Sequence, residues 1–191
     1  MPVFNVHWSK KEEFRSLSNF WECKVVIKDG DTIREYDSGE SCFQGEKFIR
    51  VSKFCKDETR KRLLVEYGSI FLKGVCEKDS IAVKKMGRKF ILDKNELDLW
   101  SILSIDVQNE ICKYKYDNYV EVRDDLVKGK DKVLIHPAMR ISEEKLQSRL
   151  WEGKGVVVDG KIEVIGRNML GNLWMKIRDD AYIDRPKGKL L

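Results

Sequence analysis

Asp37–Phe48 reads D-S-G-E-S-C-F-Q-G-E-K-F. Ser38 is a candidate helix N-cap, because a serine hydroxyl accepts from a backbone N–H one turn in. A helix starting there, predicted over Gly39 to Cys55, puts Glu40, Gln44 and Lys47 at i, i+4 and i+7 on one face. Phe43, Phe48, Val51 and Phe54 surround the adjoining apolar surface. An acid, an amide and an amine aligned beside aromatic rings suit holding a polar ligand and acting on it. A solvated face with a Glu–Lys pair satisfies the same spacing, so the stretch by itself leaves both readings open.

Before this helix, residues 22–36 read as two short strands joined through Asp29-Gly30. After it, Asp57 is placed to cap a helix running to about Tyr67, with Gly68 near its stop. Asp79 is placed to cap another that ends near Gly87. From Glu96 to Lys128 the pattern is helical, with Leu97, Trp100, Leu103, Val107, Ile111 and Tyr114 at spacings of three and four. A break is expected near Asp117-Asn118. Lys132 to His136 reads as a brief strand stopped by Pro137, and Ser142 as the cap of a helix through Trp151. Val156 to Ile165 reads as a hairpin turning at Asp159-Gly160, and Asn168 to Tyr182 as a last helix. The expected architecture is a mainly α single domain with small β-hairpin elements, ending in a frayed tail over 183–191.

At 191 residues with 42% hydrophobic and 10% aromatic content, the chain can bury a real core. Lys and Arg number 37 against 32 Asp and Glu, a net charge of +5. That mild excess suits an anionic ligand such as a phosphorylated nucleotide better than a duplex, which needs positive charge concentrated on one face. Basic clusters at Lys56–Arg62, Lys128–Lys132 and Arg185–Lys189 are mixed with acids, so a nucleic-acid-binding role ranks below a solvated surface. The opening M-P-V-F-N-V-H-W turns polar at once, and no apolar run is long enough to span a bilayer. Cys23, Cys42, Cys55, Cys76 and Cys112 are odd in number and form no C-x-x-C, which implies reduced thiols and a cytoplasmic protein. His7 and His136 are the only histidines, so no metal site is expected. P-loop and dinucleotide fingerprints are missing, and no cofactor is expected.

Further pieces join the opening stretch: L-S-N-F-W at Leu17–Trp21, M-G-R at Met86–Arg88, Trp151, and G-R-N-M-L-G-N-L-W-M-K-I-R at Gly166–Arg178. In this order they resemble the YbiA-like, or NADAR, family, named for an association with NAD and ADP-ribose. The resemblance runs from about Phe14 to Arg178. Glu40, Phe43, Gln44 and Lys47 match the family's S-E-x-x-F-Q-x-x-K, with Gly39 inserted before the acid. Asn19 and Phe20 match its S-N-F, and Asn168, Leu170 and Gly171 match its G-x-N-x-L-G. Where the family reads W-G, this chain reads Trp151-Glu152. The segment to Ile165 is longer, and a common acidic residue is replaced near Ile135. Those departures bear on the substrate more than on the reaction class.

The resemblance implies a mainly helical fold and metal-independent N-glycosidase chemistry. The bond cleaved joins a ribose anomeric carbon to a base nitrogen. The substrate is a phosphorylated ribosylamino-pyrimidine, as in riboflavin intermediates, or ADP-ribose on guanine, free or carried on nucleic acid. Cleavage builds positive charge on the sugar, and Glu40 is the candidate to stabilise it or to take a proton from water. Gln44 is placed to hold ribose hydroxyls. Lys47 is either a phosphate clamp or a nucleophile toward the opened sugar. The clamp ranks ahead here, because Glu40 on the same face favours the charged amine. Trp151 is a candidate for stacking on the base, and Phe20 for walling the pocket. Arg88 and Arg167 are phosphate candidates, and Asn168 with Gly171 opens the last helix toward a phosphate. Each has a plainer reading, with Asn168 as a simple cap and the arginines as solvated surface. Trp100, Trp174 and Phe43 are expected in the core. A binding module holding ADP-ribose without turnover is the main alternative.

Overall fold

A computed structural model describes residues 3–5, 13–75, 79–138 and 141–183. In chain order the elements begin with β1 (Val3–Asn5), a 3₁₀ turn (Arg15–Leu17), β2 (Glu22–Asp29) and β3 (Thr32–Ser38). Helices α1 (Gly39–Ser52), α2 (Glu58–Ser69), α3 (Ser80–Met86), α4 (Lys94–Asn118) and α5 (Val120–Lys128) follow. The chain continues through β4 (Val133–Ile135), α6 (Glu143–Gln147), β5 (Lys154–Val158), β6 (Lys161–Ile165) and α7 (Met169–Ile183). Mainly α with small two-stranded β elements is the architecture the pattern predicts. Two compact units result, Asn19–Lys115 and Met1–Ser18 with Tyr116–Leu191.

In the unit of residues 19–115, β2 and β3 pair antiparallel and deliver the chain into α1. Val25, Ile27 and Tyr36 of this hairpin are buried, as are Phe48, Val51, Leu64, Phe71, Val83, Val107 and Ile111 from the helices and their connections. Helix α1 lies close to α2 through two glycines. A Cβ on Gly45 would stand 3.2 Å from the Gly68 carbonyl, and one on Gly68 would stand 2.7 Å from Ile49 Cγ1. Gly68 thus serves a helix crossing, and α2 runs one residue past it. Phe54, expected beside the apolar surface, is 63% exposed, because α1 ends at Ser52 and its face does not extend that far. Leu97, at the start of the α4 stripe, is exposed as well.

The face of α1 flanking the Glu40 row carries a buried charge network. Glu46 is fully enclosed and accepts from Arg34 Nε at 2.6 Å, Arg34 Nη2 at 3.0 Å, Tyr36 Oη at 2.7 Å and Arg50 Nε at 2.8 Å. Arg50 also reaches Glu110 Oε2 on α4 at 2.7 Å. Burial alone would push the Glu46 carboxyl up, but the hydrogen bonds from Arg34 and Arg50 overcome it and hold the carboxylate below its ordinary range. Removing one member of such a set costs about 3–5 kcal/mol, since its partners are left buried and uncompensated. The network therefore clamps α1 to β3 and α4 and fixes the direction of the neighbouring Glu40 row.

In the other unit, β1 pairs in parallel with β4, giving the brief strand at 133–135 a partner the pattern did not foresee. Trp174 of α7 is wholly buried and donates from Nε1 to the Leu17 carbonyl at 2.9 Å, around a core that includes Phe14, Val122, Leu126, Leu134, Leu146 and Leu170. Arg178 Nη1 donates to the Gly129 and Lys132 carbonyls at 2.6 and 2.8 Å. Strands β5 and β6 form the predicted hairpin. Asp159 and Gly160 turn it with φ of 50° and 74°, the two left-handed positions of a type I′ turn. Helix α6 ends at Gln147, four residues short of the expected Trp151, and its Ser142 makes no side-chain cap bond. Among the described residues, no helix is long and apolar enough to cross a membrane. Cys23, Cys42, Cys55 and Cys112 are free thiols, and burial pushes Cys112 up to about 12, a range in which it is unreactive. His7, Cys76 and the tail over 184–191 lie outside the described residues.

Candidate functional site

Ser38 starts α1 as its position predicts, accepting from the Ser41 N–H at 3.1 Å. The next free donor, the Glu40 N–H, is taken by the Asn19 carbonyl at 2.9 Å. Asn19 is in turn locked by a reciprocal amide pair with Gln108 of α4. Its Nδ2 donates to Gln108 Oε1 at 2.7 Å, and Gln108 Nε2 donates back to Asn19 Oδ1 at 3.0 Å. Asn19 and Gln108 therefore hold the first turn of α1, the turn that carries Glu40.

Glu40, Gln44 and Lys47 form one hydrogen-bonded row. Gln44 Nε2 donates to Glu40 Oε1 at 2.9 Å, and Lys47 Nζ donates to Gln44 Oε1 at 3.0 Å. Lys47 Nζ also donates to the Gly87 carbonyl, at the end of α3, and lies 4.5 Å from the centroid of the Phe48 ring. Glu40 is only 5% exposed. Phe20 carries Lys84 Nζ over its ring at 5.4 Å, so the aromatic wall expected there is capped by a cation. Phe43 packs edge-on against Trp100, with centroids 5.0 Å apart. Arg88 is exposed.

Burial raises the Glu40 carboxyl above its ordinary value, against the opposing pull of Lys84, the Gln44 hydrogen bond, Lys47 and Arg88. Burial also lowers Lys47, to about 8. Glu40 opposes that shift and Arg88 adds to it. The ranking of clamp over nucleophile rested on Glu40 keeping the amine charged, and here the loss of solvent outweighs Glu40. Both groups of the row are displaced toward neutrality, which suits proton transfer and amine nucleophilicity near physiological pH. Lys47, Lys84 and Arg88 surround a single carboxylate, so the local field favours an anionic ligand.

The remaining candidates belong to the other unit. Trp151 is half-buried in the loop before β5, and Arg167 is exposed. Asn168 is buried at φ 46°, and both ends of its side chain bond the backbone of the β4 segment. Its Nδ2 donates to the Leu134 carbonyl and its Oδ1 accepts from the His136 N–H, each at 2.9 Å. Its amide thus ties β4 to the start of α7 instead of capping the helix. A Cβ on Gly171 would collide with the Leu134 carbonyl and stand 2.5 Å from Asn168 Nδ2, so the glycine allows that close approach. These two matches are explained by packing. Among the described residues, no group of three or more His, Cys, Asp or Glu stands together to hold a metal ion.

No family model matches the chain, and neither does any curated protein. Among solved structures, the NMR structure of the E. coli protein YbiA is similar, with a TM-score of 0.57 at 20% identity. The match covers 98% of this chain and 89% of that chain. The chain has a YbiA-like fold. The fold expected from the scattered motifs is therefore present along nearly the whole chain.

Within this YbiA-like fold, three residues near the row escaped the sequence reading. Lys84 sits in I-A-V-K-K-M, where the cap at Asp79 gives a helix but not which lysine faces Phe20. Gln108 interrupts the apolar stripe of α4 between Val107 and Ile111, and a buried glutamine in that position is the one signal available. Gly87 was legible as a helix stop and as part of M-G-R, and neither reveals its contact with Gln44 and Lys47.

Proposed function

We propose that the protein is a metal-independent, cytoplasmic N-glycosidase that hydrolyses a ribosyl C–N bond in a phosphorylated substrate of ADP-ribosyl-guanine or ribosylamino-pyrimidine type. The observation that carries this reading is the hydrogen-bonded row Glu40–Gln44–Lys47, with its acid raised and its amine lowered to about 8. In this reading Lys84 and Arg88 meet substrate phosphate. Gln44 orients the acid and the amine and contacts ribose hydroxyls. Where the base is attached through a nitrogen bearing a proton, the ribose ring opens to an imine at C1. The neutral Lys47 amine attacks C1, the base leaves as its amine, and water hydrolyses the resulting Schiff base to free sugar and lysine. Glu40 carries the proton between these steps and stabilises the cationic intermediates. Asn168 and Gly171 hold the fold beneath the start of α7.

A nucleic-acid-binding role draws less support. Arg60 pairs with Glu96 at 2.7 Å, Lys61 with Glu58 at 3.2 Å and Lys128 with Asp125 at 3.6 Å, so much of the basic surface is internally matched.

The deciding experiment offers the protein ADP-ribosylated guanine DNA and a ribosylamino-pyrimidine phosphate, with and without EDTA, and identifies released base and sugar by mass spectrometry. Release of base from either substrate in EDTA is expected. Binding without release would make the protein an ADP-ribose-binding module, and loss of release in EDTA restored by one metal would remove the metal-independent reading.

A further inference from the structure

Gly87 combines two features that converge on the same row. Its carbonyl accepts from Lys47 Nζ. Its Cα also faces Gln44 so closely that a Cβ built there would overlap the Gln44 amide oxygen and stand 2.5 Å from Cδ and 2.9 Å from Cγ. The backbone does not explain the glycine. Gly87 has φ −59° and ψ −11°, a right-handed conformation that any L-residue adopts without strain. Space is what the position requires, and the atom needing it is the side chain linking Glu40 to Lys47. The corner is held from both sides, since Tyr67 Oη donates to the Met86 carbonyl at 2.7 Å and the Gly87 N–H donates to Val83 at 2.9 Å.

We propose that Gly87 is the positioning residue of the Glu40–Gln44–Lys47 row. Its bare Cα leaves room for the Gln44 amide between acid and amine. Its carbonyl is the second acceptor for Lys47. A neutral lysine amine has two N–H donors and one lone pair. With the donors spent on Gln44 Oε1 and the Gly87 carbonyl, the lone pair is aimed away from both. In the ammonium form the third N–H takes that direction instead. The same corner then presents an anion donor or a nucleophile according to protonation alone. This rests on reading the row as the working site, but the arrangement itself is testable without a substrate.

The test follows acylation of Lys47 by acetic anhydride at pH 8, read by peptide mapping relative to exposed Lys94. It uses the wild type, Gly87→Ala, Gln44→Ala and the double variant. Displacing the Gln44 amide removes one acceptor from Lys47. Either single substitution is therefore expected to change the relative rate of Lys47 by about fivefold or more, a coupling of the usual size for touching groups. In the Gln44→Ala background the three atoms nearest the added methyl are gone, so the double variant should match Gln44→Ala. Melting curves accompany each variant. A Gly87→Ala protein that is destabilised only while Gln44 is present also supports the collision. Lys47 reactivity within twofold of wild type in Gly87→Ala, effects that multiply in the double variant, or equal destabilisation in both backgrounds would overturn the proposal. Because acetic anhydride needs no glycosidase activity, these outcomes stand apart from success or failure of the proposed reaction.

Discussion

Gln44 donates to Glu40 Oε1 at 2.9 Å, and this bond settles which way round its amide sits. An amide's oxygen and nitrogen are told apart by their partners. Here the acid takes the N–H end, and the lysine at 3.0 Å takes the oxygen. The orientation is fixed twice over, so the row has a direction: acceptor at Glu40, donor at Lys47.

Glu40→Gln is expected to cost about 10² or more in turnover, as for a lost acid–base group, with the fold intact. Its effect on stability should run the other way. The folded carboxyl titrates above its unfolded value, so its contribution is fully present below the unfolded pKa and lost as pH rises through the folded one. Above the unfolded value the acid therefore opposes folding, and at pH 7 the neutral amide should melt higher than the wild type. A variant that keeps its turnover would show that Glu40 is not the reacting carboxylate.

Lys47→Met provides the complementary stability profile. The lysine is lowered from 10.5 to about 8 on folding. Below pH 8 both states carry the charge, and the folded state bears its full desolvation cost. Between about 8 and 10.5 only the unfolded chain still binds the proton, so the wild type gains stability as pH rises through that window. Urea melts at pH 7 and pH 10 should show Lys47→Met losing its relative advantage at the higher pH. A difference that does not vary with pH would mean the amine is not depressed.

Trp151→Ala and Trp174→Ala separate binding from folding. Trp174 is wholly buried with its indole N–H bonded to Leu17, and truncating it should cost about 3–5 kcal/mol of stability. Trp151 is half-buried, and as a stacking residue it should cost about 1–3 kcal/mol of ligand affinity with a smaller loss of stability. Calorimetric melts and ligand titration on both variants decide the point. A large melting shift at Trp151 with affinity unchanged would return it to the core.

The elements were legible where a local signal is also a physical cause. Caps at Ser38, Asp57 and Asp79 accept the bonds their positions imply, because capping depends only on neighbours a turn away. The β5–β6 turn was equally visible in Asp159-Gly160. What escaped depends on distant partners. Asn168 reads as a cap, yet its amide serves a strand more than thirty positions earlier, and nothing near it announces that. The parallel pairing of β1 with β4 joins segments over a hundred residues apart. The Glu40, Gln44, Lys47 alignment was readable from helical spacing. The balance that lowers Lys47 was not, because it depends on how much solvent the surrounding unit excludes.

That balance leads to the sharpest test of the row. With a folded pKa of about 8, roughly a tenth of Lys47 is neutral at pH 7 and half at pH 8. If the amine is the nucleophile, turnover should climb across this range and level off above it. Lys47→Arg should then be inactive, because a guanidinium keeps its proton at any accessible pH. Borohydride added during turnover should reduce the Schiff base to a stable secondary amine, leaving a sugar-sized mass on the peptide containing Lys47. A clamp behaves differently on all three counts. It needs only charge and reach, so activity would fall as the amine deprotonates, Lys47→Arg would retain part of the rate, and borohydride would trap nothing. The expected result is the adduct on Lys47 with a rising pH profile. An active Lys47→Arg protein with no adduct would assign the lysine to phosphate binding and leave Glu40 to activate water directly.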